Sequence, residues 1–106
     1  MKKHLHEHLA DADEFFEKLL KDPRIRVLYE EEMARTRLAM AVKQARIRAK
    51  LTQAELARKA GTKQSVIARL EGGRDKRMPT LPLLAHIAAA CGRRLEMGFP
   101  AASSRA

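Results

Sequence analysis

The segment QAELARKAGTKQSVIARL, residues 53–70, sets two short apolar patterns on either side of a single glycine. Thr52 precedes it and Glu55 lies three residues on, the spacing of a helix-opening capping box. Gly61 can take the positive φ at which a helix stops. Thr62 or Lys63 then opens a second helix that runs to about Glu71. Ala57 is small enough for the second helix to approach the first, while Ile67 and Leu70 share the face that fills a core. The other face of 63–69 is polar: Lys63, Gln64, Ser65 and Arg69. Such side chains suit base edges and phosphates.

The flanks extend the helical reading. Pro23–Ala49 contains no internal Gly or Pro; Ile25, Leu28 and Tyr29 mark one apolar face and Leu38, Ala41, Val42 and Ala45 a second. One long helix fits this pattern, and so do two joined by a bend at Met33–Arg37. Asp22-Pro23 separates the segment from a shorter helix carrying Phe15, Phe16, Leu19 and Leu20, opened by Asp11 with Glu14. Residues 1–10, with His4, His6 and His8, read as a mobile tail. Downstream, Gly72-Gly73 ends the second short helix, and residues 72–79 form a loop bearing Arg74, Lys76 and Arg77. A last helix starts near Thr80, carries Leu81, Leu84, Ile87 and Ala88 inward and ends at Gly92. Leu95, Met97 and Phe99 alternate with Arg94, Glu96 and Gly98, the pattern of a short strand. Residues 100–106 read as a disordered tail.

The chain of 106 residues carries a net charge of +9, unevenly spread. Residues 1–32 hold nine acids against six bases, and residues 33–106 hold four against sixteen. An acidic arm therefore precedes a basic body that attracts a polyanion, for which nucleic acid is the usual candidate. One cysteine, Cys91, excludes an internal disulfide and fits a reducing compartment. No apolar run is long enough for a signal peptide core or a membrane span, so a cytoplasmic protein is expected.

No constellation for catalysis emerges. Ser65 has no His or Asp placed for a triad, and the alternating histidines of the tail make a poor metal site. His86 reads as a partly buried structural residue, Cys91 as packing and Glu30–Glu32 as a solvated face. Gly72-Gly73 closes a helix instead of opening one, which excludes a phosphate-cradling loop. Neither enzyme activity nor a cofactor is expected.

Residues 42–92 resemble the Cro/C1-type (Xre) helix-turn-helix family, which includes the lambdoid phage repressors. The resemblance rests on Leu51-Thr52-Gln53-Ala54-Glu55-Leu56-Ala57, Gly61-Thr62-Lys63-Gln64-Ser65 and Leu70-Glu71. It implies an all-α, five-helix lambda-repressor-like domain over residues 33–99, here with an N-terminal helical arm (1–32) and a short C-terminal strand. It also implies that Gln64–Glu71 enters the major groove. Gln64 would then pair with adenine and Arg69 with guanine, and Thr62, Lys63 and Ser65 would contact bases or phosphates. Gln53 would meet a phosphate, the loop cations Arg74, Lys76 and Arg77 would follow the backbone or approach the minor groove, and Arg46 with Glu71 would form a structural salt bridge.

At its ends the chain resembles HigA-type antitoxins, in the order KDPRIRVLYEEE, long helix, LTQAELA and CGRRLEMGF; the segment Met33–Leu38 departs from that pattern, which leads one to expect a helix break there. This resemblance implies a repressor of its own operon that neutralises a small basic RelE/HigB-like ribonuclease toxin. The toxin would sit on the acidic arm through Phe15, Phe16, Leu19, Leu20, Ile25 and Leu28. The other reading of these residues is that they pack on the protein's own core. A stand-alone regulator without a toxin, and an RNA-processing enzyme using the basic surface, are the competing functions. One recognition helix reads few base pairs, so a homodimer on a palindromic operator is expected, joined through the 93–99 strand or the last helix.

Overall fold

A computed structural model describes residues 2–74 and 76–102, with side chains described from Asp11 onward. Five helices follow one another among the described residues: α1 (Lys2–Leu20), α2 (Pro23–Arg48), α3 (Gln53–Ala60), α4 (Gln64–Gly72) and α5 (Leu81–Ala90). The fold is all-helical, and the five helices include those of the arm. The contacts divide the chain into two compact units, Met1–Arg37 and Leu38–Ala106.

In the first unit, α1 begins at Lys2, well before the expected start at Asp11. The ten residues before Asp11 contain no Gly or Pro, and Lys, Leu, Glu and Ala among them favour a helix, so nothing stops it there. Asp11 and Glu14 lie within the helix and open nothing. The side chains of His4, His6 and His8 lie outside the described residues. Pro23 starts α2, with Asp22 as its cap: the Arg24 N–H donates to Asp22 Oδ1 at 2.9 Å and the Arg26 N–H to the Asp22 carbonyl at 2.9 Å. Phe16 meets Tyr29 edge to face, ring centroids 5.5 Å apart. Leu19, Leu20 and Ile25 are half-buried, whereas Phe15, Val27 and Leu28 stay exposed.

Residues 33–38 are unbroken helix. Arg35 supports this stretch by bonding Glu32 at 2.6 Å one turn back and Glu31 at 3.8 Å, and the Thr36 hydroxyl donates to the Glu32 carbonyl at 3.0 Å. The helix ends in a Schellman-type stop. Lys50 takes a left-handed φ of 58°, and the Leu51 N–H reaches back to the Arg46 carbonyl at 3.1 Å.

The second unit has a lean core of Val42, Leu56, Ala57, Ala60, Ile67 and Ile87, with Leu38, Leu51, Leu70, Leu83, Ala90 and Cys91 packed around it. Leu56 and Ile67 are fully buried. Helix α3 packs on both α4 and α5. Two expectations for α5 fail. Leu81 stands at its first position and is exposed, because Leu83 and Leu84 turn inward instead; His86 lies on the outer face. Residues 93–102 carry no strand. A strand needs a partner ladder, and no neighbouring segment of the described chain supplies one. Met97 and Phe99 accordingly stand in solvent. Residues 103–106 of the expected disordered tail lie outside the described residues.

Candidate DNA interface

The α3–turn–α4 unit is built by local chemistry. Thr52 and Glu55 close the full capping box: Thr52 Oγ1 accepts from the Glu55 N–H at 3.1 Å, and Glu55 accepts from the Thr52 N–H at 2.9 Å. The Thr52 N–H first, and the Thr52 hydroxyl second, hold the Glu55 carboxyl below the ordinary carboxylate range. At the other end Gly61 takes φ 73°, and the Thr62 N–H bonds the Ala57 carbonyl at 2.8 Å. A Cβ at Gly61 would meet no atom, so the left-handed φ alone selects glycine. Ala57 is buried where the helices meet, as its small size suggested.

Of the two candidate caps for α4, Lys63 holds the position, and its side chain makes no capping bond. The first N–H groups of α4 thus have no side-chain acceptor at the cap and point out of the helix start, an arrangement that receives phosphate oxygens well. Lys63, Gln64, Ser65 and Arg69 are all exposed, while Ile67 on the opposite face has no solvent contact. Thr62 is half-buried at the turn. Arg74, Lys76 and Arg77 are exposed in the loop after Gly73, whose φ of 68° ends α4. A Cβ at Gly73 would meet Ala39 Cβ at 3.4 Å, an ordinary contact, so the backbone angle selects glycine there.

Arg46 and Glu71 form the expected ion pair, and it is bidentate: Nε donates to Oε2 at 2.6 Å and Nη2 to Oε1 at 3.0 Å. Arg46 Nη1 also donates to the Leu51 carbonyl at 2.9 Å. Only 15% of the Arg46 side chain and 4% of the Glu71 side chain are exposed. The hydrogen bonds to Glu71 raise the Arg46 pKa further above its ordinary value. Removing one partner would strand the other charge at a cost of roughly 3 kcal/mol. Nearby, burial pushes the Cys91 thiol up against the pull of Arg46, so it stays protonated at neutral pH and serves as packing.

One element of this network was not legible in the sequence. Gln53 Nε2 donates to Glu71 Oε1 at 3.3 Å. The residue assigned to a phosphate is therefore anchored from behind by the same carboxylate that holds Arg46. Eighteen positions separate Gln53 from Glu71, and no local pattern signals the contact.

A helix-turn-helix family profile matches residues 42–97, more than half of the chain. The chain belongs to the Cro/C1-type helix-turn-helix family. The match takes in α3, the turn, α4, the basic loop and α5. It identifies a DNA-binding transcription regulator. No curated protein and no solved structure matches the chain. Among the described residues no group of His, Cys, Asp or Glu could hold a metal ion, and no helix is long and apolar enough to cross a membrane.

Proposed function

We propose that this Cro/C1-type protein is a sequence-specific repressor that binds a two-fold operator as a homodimer and serves as the antitoxin of a toxin–antitoxin pair. The observation that carries the DNA half is the two-sided α4. Ile67 anchors it in the core while Gln64, Ser65 and Arg69 face outward from a helix whose first turn is open to phosphate. In this reading Gln64 and Arg69 read bases. Gln53 and the loop cations fix the register on the phosphates, and Thr62, Lys63 and Ser65 contact bases or phosphates. Enrichment of one palindromic motif by the pure protein from a random duplex pool tests it; recovery of unenriched sequence would refute base reading.

The antitoxin half rests on the arm. Phe15 and Leu28 leave more than half their surface in water, 64% and 61%, on helices that also carry the exposed Asp11, Asp13, Glu14 and Glu17 (α1) and Glu30–Glu32 (α2). Exposed apolar side chains on an acidic arm suit a small basic partner such as a RelE/HigB-like ribonuclease, whose substrate demands a cationic surface. Phe16 keeps 44% of its surface exposed while its ring meets Tyr29, and Leu19, Leu20 and Ile25 are half-buried, so each retains surface a partner could cover. Co-purification with the product of the adjacent small reading frame tests the role. Wild type should retain it, and Phe15→Asp with Leu28→Asp should release it. Absence of any complex would leave a stand-alone regulator.

A further inference from the structure

Helix α2 from Leu38, helix α5 and residues 93–96 enclose an open groove of about 360 Å³, at the small end of the range of ligand pockets, roughly 300–1,000 Å³. None of its residues is assigned to DNA or to the toxin. The floor is aliphatic, formed by Leu38, Val42, Ala45, Leu84, Ile87 and Leu95. Val42 and Ile87 belong to the core, whereas Leu38, Leu84 and Leu95 are half-buried and keep apolar surface in water. On α2 the lining recurs at Leu38, Ala41, Val42, Ala45 and Arg48, one face of the helix, so the groove follows α2 for roughly 15 Å. The rim is cationic: Arg48, Arg93 and Arg94 stand against a single carboxylate, Glu96. Glu96 already lies 3.6 Å from Arg94. The side chains of Arg48 and Arg93 have no ion pair or hydrogen bond among the described residues.

We propose that this groove is a binding site for a small aliphatic carboxylate, with the chain laid along the floor and the head held by Arg48 and Arg93. Charge selects an anion, since three arginines face one glutamate that is itself paired. Arginine selects a carboxylate head, because the planar guanidinium fork matches two carboxylate oxygens at once. The floor selects the body. It contains no aromatic side chain on which a flat ring could stack, and its run along α2 takes an extended chain of medium length. Apolar area and head charge contribute separately: the chain covers surface that the half-buried leucines leave in water, and the head neutralises cations that the protein leaves unpaired.

Calorimetric titration of the full chain with decanoate, kept below the concentration at which it forms micelles, tests the site. Decanoate should bind saturably, one per chain, and should raise the melting temperature, because it binds the folded state alone. Decanamide carries the same chain on an uncharged head and should bind about tenfold more weakly. Arg48→Ala combined with Arg93→Ala should weaken decanoate about tenfold and leave decanamide unchanged. Both arginines are exposed, and retained decanamide binding shows that the variant is folded. Ala41→Trp, at an exposed position of the lining, should fill the groove and weaken both ligands alike. No saturable binding to wild type, uptake beyond one decanoate per chain, or equal affinity for decanoate and decanamide would each overturn the site. So would arginine or tryptophan variants that bind like wild type.

Discussion

Lys50 is the one residue other than glycine that the described backbone holds at positive φ, at the stop of α2. A side chain in the left-handed region is disfavoured by roughly 1 kcal/mol relative to glycine. Lys50→Gly should therefore stabilise the protein by about 0.5–1 kcal/mol, measured as a higher denaturant midpoint with unchanged slope. Arg69 makes a different prediction. Its Ala variant should lose roughly 1–3 kcal/mol of operator affinity and relax preference at a single base pair in a selection experiment. Equal weakening on every sequence would make it a phosphate contact instead. At this scale the sequence was readable wherever the chemistry is local. Gly61, Thr52 with Glu55 and the small Ala57 all declare themselves within four or five positions. Lys50 did not, because lysine is no marker of a left-handed stop, and neither did the Gln53–Glu71 bond, which only folding creates.

Among the elements, α3 carries a pH signature. The Thr52 N–H and hydroxyl lower the Glu55 pKa, so the folded state binds its proton less readily than the unfolded chain. The stabilisation from this box is complete above the unfolded value, about 4.3, and drains away as pH falls through the lowered folded value. Thr52→Ala removes the hydroxyl but keeps the N–H, so it should make that acid limb of thermal stability shallower without abolishing it, while leaving the neutral-to-alkaline course parallel to wild type. The helices themselves were mostly legible, since Asp22-Pro23, Gly61, Gly73 and Thr80 punctuate the chain with turn and cap chemistry. The start of α1 was misjudged because a capping pattern at Asp11–Glu14 competes with a run of good helix formers, and the run wins. The strand at 95–99 was misjudged for another reason: alternation describes a face, but a strand exists only with a ladder.

For the whole molecule, the division of charge governs behaviour in salt. Operator affinity should fall steeply and log-linearly as salt rises, because phosphate-bound cations release counterions. Lys76→Ala should reduce that slope by about one and weaken binding alike on specific and non-specific duplexes, as read by fluorescence anisotropy across a salt series. The overall class followed from composition and the 53–70 pattern, whereas the groove lined by Leu38, Val42, Ala45, Leu84, Ile87 and Leu95 is made by segments more than thirty positions apart and has no signature in one dimension. The two faces of α4 have a final consequence. The side that fixes the scaffold, Ile67, shares no position with the exposed side proposed to meet DNA, Gln64, Ser65 and Arg69. Substitutions at Gln64 and Ser65 should therefore sample new operators while leaving the Ile67 anchor in place. A duplicated copy should be able to acquire its own regulon through changes on that side, and a laboratory library confined to Gln64 and Ser65 should consist largely of folded proteins.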